Sequence, residues 1–147
     1  MLVDARELPH DTELAVDVCI IGAGAAGITL ARALSRPTTT VAVLESGFTT
    51  PHPPTQALAG GTSVGLPYFP LDDETTRTRG FGGSTSQWAG ECRPLDPIDF
   101  EAREWIPDSG WPFALDALLP WYHRAQEVCR LGPFAYTAEE WAVRSPP

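Results

Sequence analysis

The apolar positions of this chain are concentrated near its start. Val16-Asp17-Val18-Cys19-Ile20-Ile21 is a short, β-branched run that reads as a strand. It runs into Gly22-Ala23-Gly24-Ala25-Ala26-Gly27, and a helical spacing follows at once over residues 28–34. There Ile28, Leu30, Ala31 and Leu34 supply the apolar faces, while Arg32 is expected to point to solvent or snorkel on the helix. After a short return loop with Pro37, a second strand pattern, Thr40-Val41-Ala42-Val43-Leu44, ends on Glu45. Strand, helix and strand over residues 16–45 predict a βαβ unit and an α/β fold, doubly wound in the Rossmann-like manner.

Beyond residue 45 the periodicity fades. Pro51, Pro53, Pro54, Pro67, Pro70 and the Gly60-Gly61 pair break any regular element over residues 46–80. This long loop is not linker, because Leu58, Val64, Leu66, Tyr68, Phe69 and Leu71 are apolar enough to pack. A second glycine cluster occupies residues 77–90, and a helical, aromatic segment follows. In that segment Asp99 is expected to cap a short helix through Trp105, and Ser109-Gly110-Trp111-Pro112 to form a turn. Residues 116–119 make a short helical piece. Pro120 suits the first turn of a helix running to about Arg130, with Trp121, Ala125 and Val128 or Cys129 on one side. Thr137-Ala138-Glu139-Glu140 is a capping-box pattern that opens a last helix. The expected organisation is an arm (1–15), the βαβ unit (16–45), loops (46–95) and a helical segment (96–147).

The G-x-G-x-x-G turn carries the first candidate chemistry. Gly22 permits a tight turn out of the strand. Gly24 lacks a Cβ, so a pyrophosphate can approach the backbone. Gly27 lets the helix pack closely on the sheet. The amides of Ala25 and Ala26, at the positive end of the helix dipole, then face the phosphates. Glu45 lies eighteen residues past Gly27, at the end of the second strand, where a carboxylate accepts from a ribose diol. A carboxylate repels a 2′-phosphate, so FAD or NAD is favoured over NADP. The plainer alternative is a tight strand–helix turn without a nucleotide.

Composition narrows the classes. The 147 residues carry a net charge of −9, which argues against nucleic acid as a partner and gives no reason to expect an anionic membrane surface. No apolar run approaches the ~20 residues of a membrane span, and the acidic N-terminal arm is not a secretory signal, so a cytoplasmic location is expected. Three cysteines and no C-x-x-C leave Cys19 as a small buried hydrophobe, with Cys92 and Cys129 expected reduced, although able in principle to pair. His10, His52 and His123 lie far from any second ligand at metal spacing, so no metal site is expected.

The second cluster, Arg77-Thr78-Arg79-Gly80-Phe81-Gly82-Gly83-Ser84-Thr85-Ser86-Gln87-Trp88-Ala89-Gly90, offers bare amides and hydroxyls suited to phosphates or a flavin edge. Arg77 and Arg79 can balance a pyrophosphate or an electron-rich ring. A Gly/Ser surface turn beside a buried Trp is the bland alternative. Both clusters together, with Arg93-Pro94-Leu95-Asp96-Pro97-Ile98-Asp99-Phe100, Ser109-Gly110-Trp111-Pro112 and Leu119-Pro120-Trp121-Tyr122, resemble the N-terminal portion of the glucose–methanol–choline (GMC) oxidoreductases. The resemblance is nearest to the pyranose-oxidase-like branch and covers most of residues 16–131.

That resemblance implies FAD and hydride transfer from an alcohol or sugar carbon. Gly22, Gly24 and Gly27, with Ala25 and Ala26, would hold the pyrophosphate; Glu45, with Ser46 beside it, the adenosine ribose. Gly82, Gly83 and Ser84 would line the pyrophosphate and ribityl side. Ser86, Gln87, Trp88 and Ala89 would approach the isoalloxazine. Where the pyranose-oxidase pattern has a flavin-linked His before the Trp, this chain has Gln87, which implies noncovalent FAD. The family's catalytic His region has no match here, and His123 has no orienting partner in the sequence. With only two strand patterns visible, the chain is expected to be the N-terminal, incomplete part of a larger enzyme, marginally stable alone. Other readings are a flavin- or NAD-dependent reductase or monooxygenase with the same opening, and a non-catalytic truncated product.

Overall fold

The computed structural model describes residues 1–65 and 76–144. The chain divides into two compact units, Met1–Gly90 and Glu91–Pro147. The predicted packing of Leu66, Tyr68, Phe69 and Leu71 lies outside the described residues.

The first unit is built on β1 (Val18–Ile21), α1 (Ala25–Leu34) and β2 (Val41–Leu44), the α/β arrangement read from the sequence. β1 and β2 pair in parallel with Val18 opposite Val41 and Ile21 opposite Leu44. The strands begin two residues and one residue later than the apolar pattern, and α1 begins three residues earlier. Side-chain chemistry sets the strand starts. Asp17 and Thr40 face each other there, and the Thr40 amide and hydroxyl both donate to Asp17 Oδ2 at 2.7 Å. These bonds from Thr40 hold the Asp17 carboxyl below its usual range.

α1 packs on both strands. Its approach is set by Gly27, where an added Cβ would lie 1.9 Å from the Gly22 carbonyl oxygen and 3.4 Å from Ile20 Cγ2. Ile20 and Ala23 are the buried apolar residues of this unit among the described residues. Cys19 is exposed, not buried, because alternation along β1 turns only Ile20 inward. Leu30 and Leu34 on α1, and Ile21, Val43 and Leu44 on the strands, are also exposed, with Ile21 at 88%.

Among its described residues the long loop contains one regular piece, α2 (Pro53–Gln56), which continues into a 3₁₀ turn at Ala57–Ala59. Prolines stand in its first turn, where a missing N–H costs nothing, and His52 caps it through the Thr55 amide.

In the second unit, Asp99 does not open a helix through Trp105. It is the third residue of a 3₁₀ turn, Pro97–Phe100, and its carboxylate accepts from the Asp96 amide at 2.8 Å. The chain then leaves the helical path, and Gly110, at φ +86°, packs closely on it: a Cβ there would meet the Ala102 nitrogen at 2.8 Å. Ser109 Oγ ties both the amide and the carbonyl of Arg103. A 3₁₀ turn at Leu115–Ala117 leads to α3 (Leu119–Val128), with Pro120 in its first turn as expected. α4 (Ala138–Arg144) opens on a complete capping box: Thr137 Oγ1 accepts from the Glu140 amide at 3.2 Å, and Glu140 Oε2 accepts from the Thr137 amide at 3.0 Å.

Gly27→Ala is expected to destabilise the first unit by about 2–3 kcal/mol, because the clash is with main chain and cannot rotate away. Gly24→Ala, with nothing within 4 Å of the new methyl, is expected to cost less than about 1 kcal/mol. Urea unfolding midpoints of the two variants check this ordering.

Candidate functional site

Residues 22–27 make the sharp junction from β1 to α1. Gly22 adopts φ +98°, and its amide donates to the Leu44 carbonyl at 2.7 Å, tying the turn to the end of β2. Gly24 is the N-cap of α1 and carries no side chain to satisfy the first-turn amides. The space where its Cβ would stand is open, Ala25 and Ala26 are exposed, and no acidic residue occupies the first turn. The helix dipole therefore presents its positive end beside bare backbone.

Glu45 closes one side of this corner. Its Oε2 accepts from the Ala23 amide and its Oε1 from the Gly47 amide, both at 2.8 Å. Ser46 Oγ lies 3.4 Å from Oε1. Partial burial pushes the carboxyl pKa up, but the Ala23 and Gly47 amides, aided by Ser46, outweigh that and hold it below its ordinary value. Oε1 takes the Gly47 amide and Ser46 Oγ, while Oε2 takes the Ala23 amide and keeps a second lone-pair direction that can receive a diol hydroxyl.

The second glycine cluster lies directly on the first. The Gly82 amide donates to the Ala23 carbonyl at 2.8 Å, and Gly24 and Gly82 pair as a parallel bridge. Gly83, at φ +58°, approaches so closely that a Cβ would lie 3.1 Å from Gly24 Cα. One step along, Phe48 pairs with Gly80, and the Phe81 amide donates to the Phe48 carbonyl at 3.0 Å. Gly47 permits that pairing, since a Cβ on it would be 2.4 Å from the Arg79 carbonyl oxygen. Sequence reasoning missed two residues here. Gly47 carried a signal, a glycine two residues after the strand-end acid. Gln56 carried none: it is buried, donates to the Arg77 carbonyl at 2.6 Å and accepts from the Arg79 amide at 2.8 Å.

The chain is similar to the 6'''-hydroxyparomomycin C oxidase of Streptomyces lividus. The two are 31% identical over 132 residues, and the match covers 78% of this chain. It spans 23% of the length of that curated relative. No family model matches the chain. No solved structure matches it.

The remaining site residues fall into two groups. Gly82 and Gly83 join Gly22, Gly24, Ala25, Ala26, Gly27, Glu45 and Ser46 in one cradle. Arg79, Ser86 and Gln87 instead line a cavity of about 240 Å³. The hydroxyls of the second cluster are largely spent on backbone: Thr85 donates to the Gly82 carbonyl at 2.5 Å and Ser86 to the Gly83 carbonyl at 2.8 Å. Ser84 Oγ accepts from the Thr78 amide at 3.1 Å and keeps its own proton to donate. Trp88 and Ala89 are exposed. The three cysteines are free. His123, in the second unit, rests its ring on Phe134 at 4.3 Å. Among the described residues no cluster of His, Cys, Asp or Glu could hold a metal, and no helix is long and apolar enough to cross a membrane.

Because Glu45 has a lowered pKa, its bonds to Ala23 and Gly47 stabilise the fold above its unfolded-state pKa. That contribution is lost as pH falls through the lower folded-state value. Glu45→Gln is therefore expected to lower stability at pH 7 and to flatten the decline between about pH 5 and pH 3. Urea midpoints measured across that range read both effects.

Proposed function

We propose that this chain forms the cofactor cradle of an FAD-dependent oxidoreductase of the GMC kind, oxidising the CH–OH group of an alcohol or sugar. One observation carries the reading: two glycine clusters far apart in sequence meet backbone to backbone, Gly82 and Gly83 on Ala23 and Gly24, beside Glu45 and the uncapped start of α1. The likeness to an oxidase supports the redox class.

The residues fit the group. A diphosphate needs amide donors and room, and the open space at Gly24 and the exposed first turn of α1 offer both. A ribose diol needs a fixed acceptor, and Glu45 is held by two amides with a lone pair on Oε2 to spare. In this reading residues 22–27 and Gly82–Gly83 bind the diphosphate, Ser84 donates to it, and Glu45 orients the ribose. Gln87, whose amide forms no flavin link, leaves the FAD noncovalent. When bound, FAD supplies the hydride acceptor for the substrate C–H. The proton acceptor for the substrate hydroxyl lies in a further part of the enzyme: His52 is bonded to Thr55 and His10 to Asp11, and neither belongs to the cradle. That further part would also cover the exposed strand residues Ile21, Val43 and Leu44.

FAD titration, followed by flavin fluorescence, is expected to show binding that is released by acid precipitation. Gly24→Val is expected to weaken it by roughly 10–100-fold through lost charge-assisted amide contacts. Equal FAD affinity in that variant with the fold intact, or binding of NADH in place of FAD, would overturn the reading.

A further inference from the structure

The cavity of about 240 Å³ in the first unit shares no lining residue with the cradle. Phe48, His52, Gln56, Arg79, Phe81 and Gln87 are among its walls. It lies just under the roughly 300–1,000 Å³ of pockets for drug-sized ligands, so it suits something smaller.

Its lining includes strong donors. Arg79 Nε is buried and has no hydrogen-bond partner among the described residues, and Arg79 Nη1 reaches the Leu58 carbonyl only at 3.4 Å. A buried guanidinium nitrogen left without an acceptor is costly and asks for one. His52 Nδ1 lies 2.7 Å from Thr55 Oγ1 and 3.3 Å from the Thr55 amide. Gln87 adds an amide with no side-chain hydrogen bond among the described residues. Among the described residues that line the cavity, Arg79 carries a fixed positive charge and none is Asp or Glu, in a chain whose net charge is −9. The wall is rigid: Gln56 is bonded to the main chain of both Arg77 and Arg79, which fixes the base of the arginine side chain.

We propose that this cavity is an oxyanion site, distinct from the dinucleotide cradle, that takes a free phosphate- or carboxylate-sized anion on Arg79. The guanidinium supplies charge and a planar pair of donors, and the Gln87 amide adds a neutral one. The site stands whether or not the cradle holds FAD.

Isothermal titration of the full chain with inorganic phosphate, at constant ionic strength against chloride, tests it. Saturable binding is expected, weakened at least about tenfold in Arg79→Gln. Gln87→Glu, which alters an exposed side chain and leaves the internal hydrogen bonds in place, is expected to weaken phosphate similarly by adding a like charge. It keeps the test decisive if Arg79→Gln disturbs the fold. Phosphate affinity unchanged in Arg79→Gln and Gln87→Glu, or no binding at about 10 mM phosphate, would each overturn the proposal.

Discussion

Main chain lies against main chain in the first unit wherever a side chain would not fit, and its other features follow from that contact. Gly27 sits on the Gly22 carbonyl, Gly47 on residues 79–80, and Gly83 on Gly24. Each approach lets polar backbone groups that would otherwise face a void find partners. The Gly22 amide reaches Leu44, the Gly82 amide reaches Ala23, and the Phe81 amide reaches Phe48. A two-stranded sheet has little else to hold its loops, since Ile20 and Ala23 are the buried apolar residues of that unit among those described. Hydrogen-bonded loop-on-loop contact replaces side-chain packing there.

Glu45 links this framework to ligand chemistry. A carboxylate beside the positive end of a helix is electrostatically favoured, and here it also bridges the amides of Ala23 and Gly47. A group already fixed in this way loses little freedom on meeting a ribose, which is how preorganisation improves affinity. The same charge works against a 2′-phosphate. One residue thus holds the turn and sets its electrostatics, and in the proposed reading it would select among nucleotides.

Much of this was legible in the order of residues. The apolar runs around Ile20 and Val43 and the helical spacing after Gly27 have periods that only β and α backbones satisfy, and the structure places a parallel βαβ unit there. The roles of Gly22 and Gly27 were legible because a positive φ and a sub-van der Waals approach admit no other residue. The Thr137–Glu140 box was legible because its bonds span three residues. Burial and capping were less so. Cys19 read as buried and is exposed, since a strand run does not say which of its faces is covered. Asp99 read as a helix cap and instead closes a turn begun by Asp96, and Gly110, several residues on, packs closely on the chain that follows.

Sequence alone determined the βαβ order, the glycine turn and the acid at the strand end, since each depends on neighbours a few residues away and on the steric limits of single residues. Only tertiary structure decided that residues 80–83 would lie on residues 23–24, that Gln56 would clamp Arg77 and Arg79, and that Arg79 would line a cavity apart from the glycine cradle. Those outcomes depend on how a long loop closes, and loop closure is governed by which distant backbone groups find partners, a property no local pattern encodes.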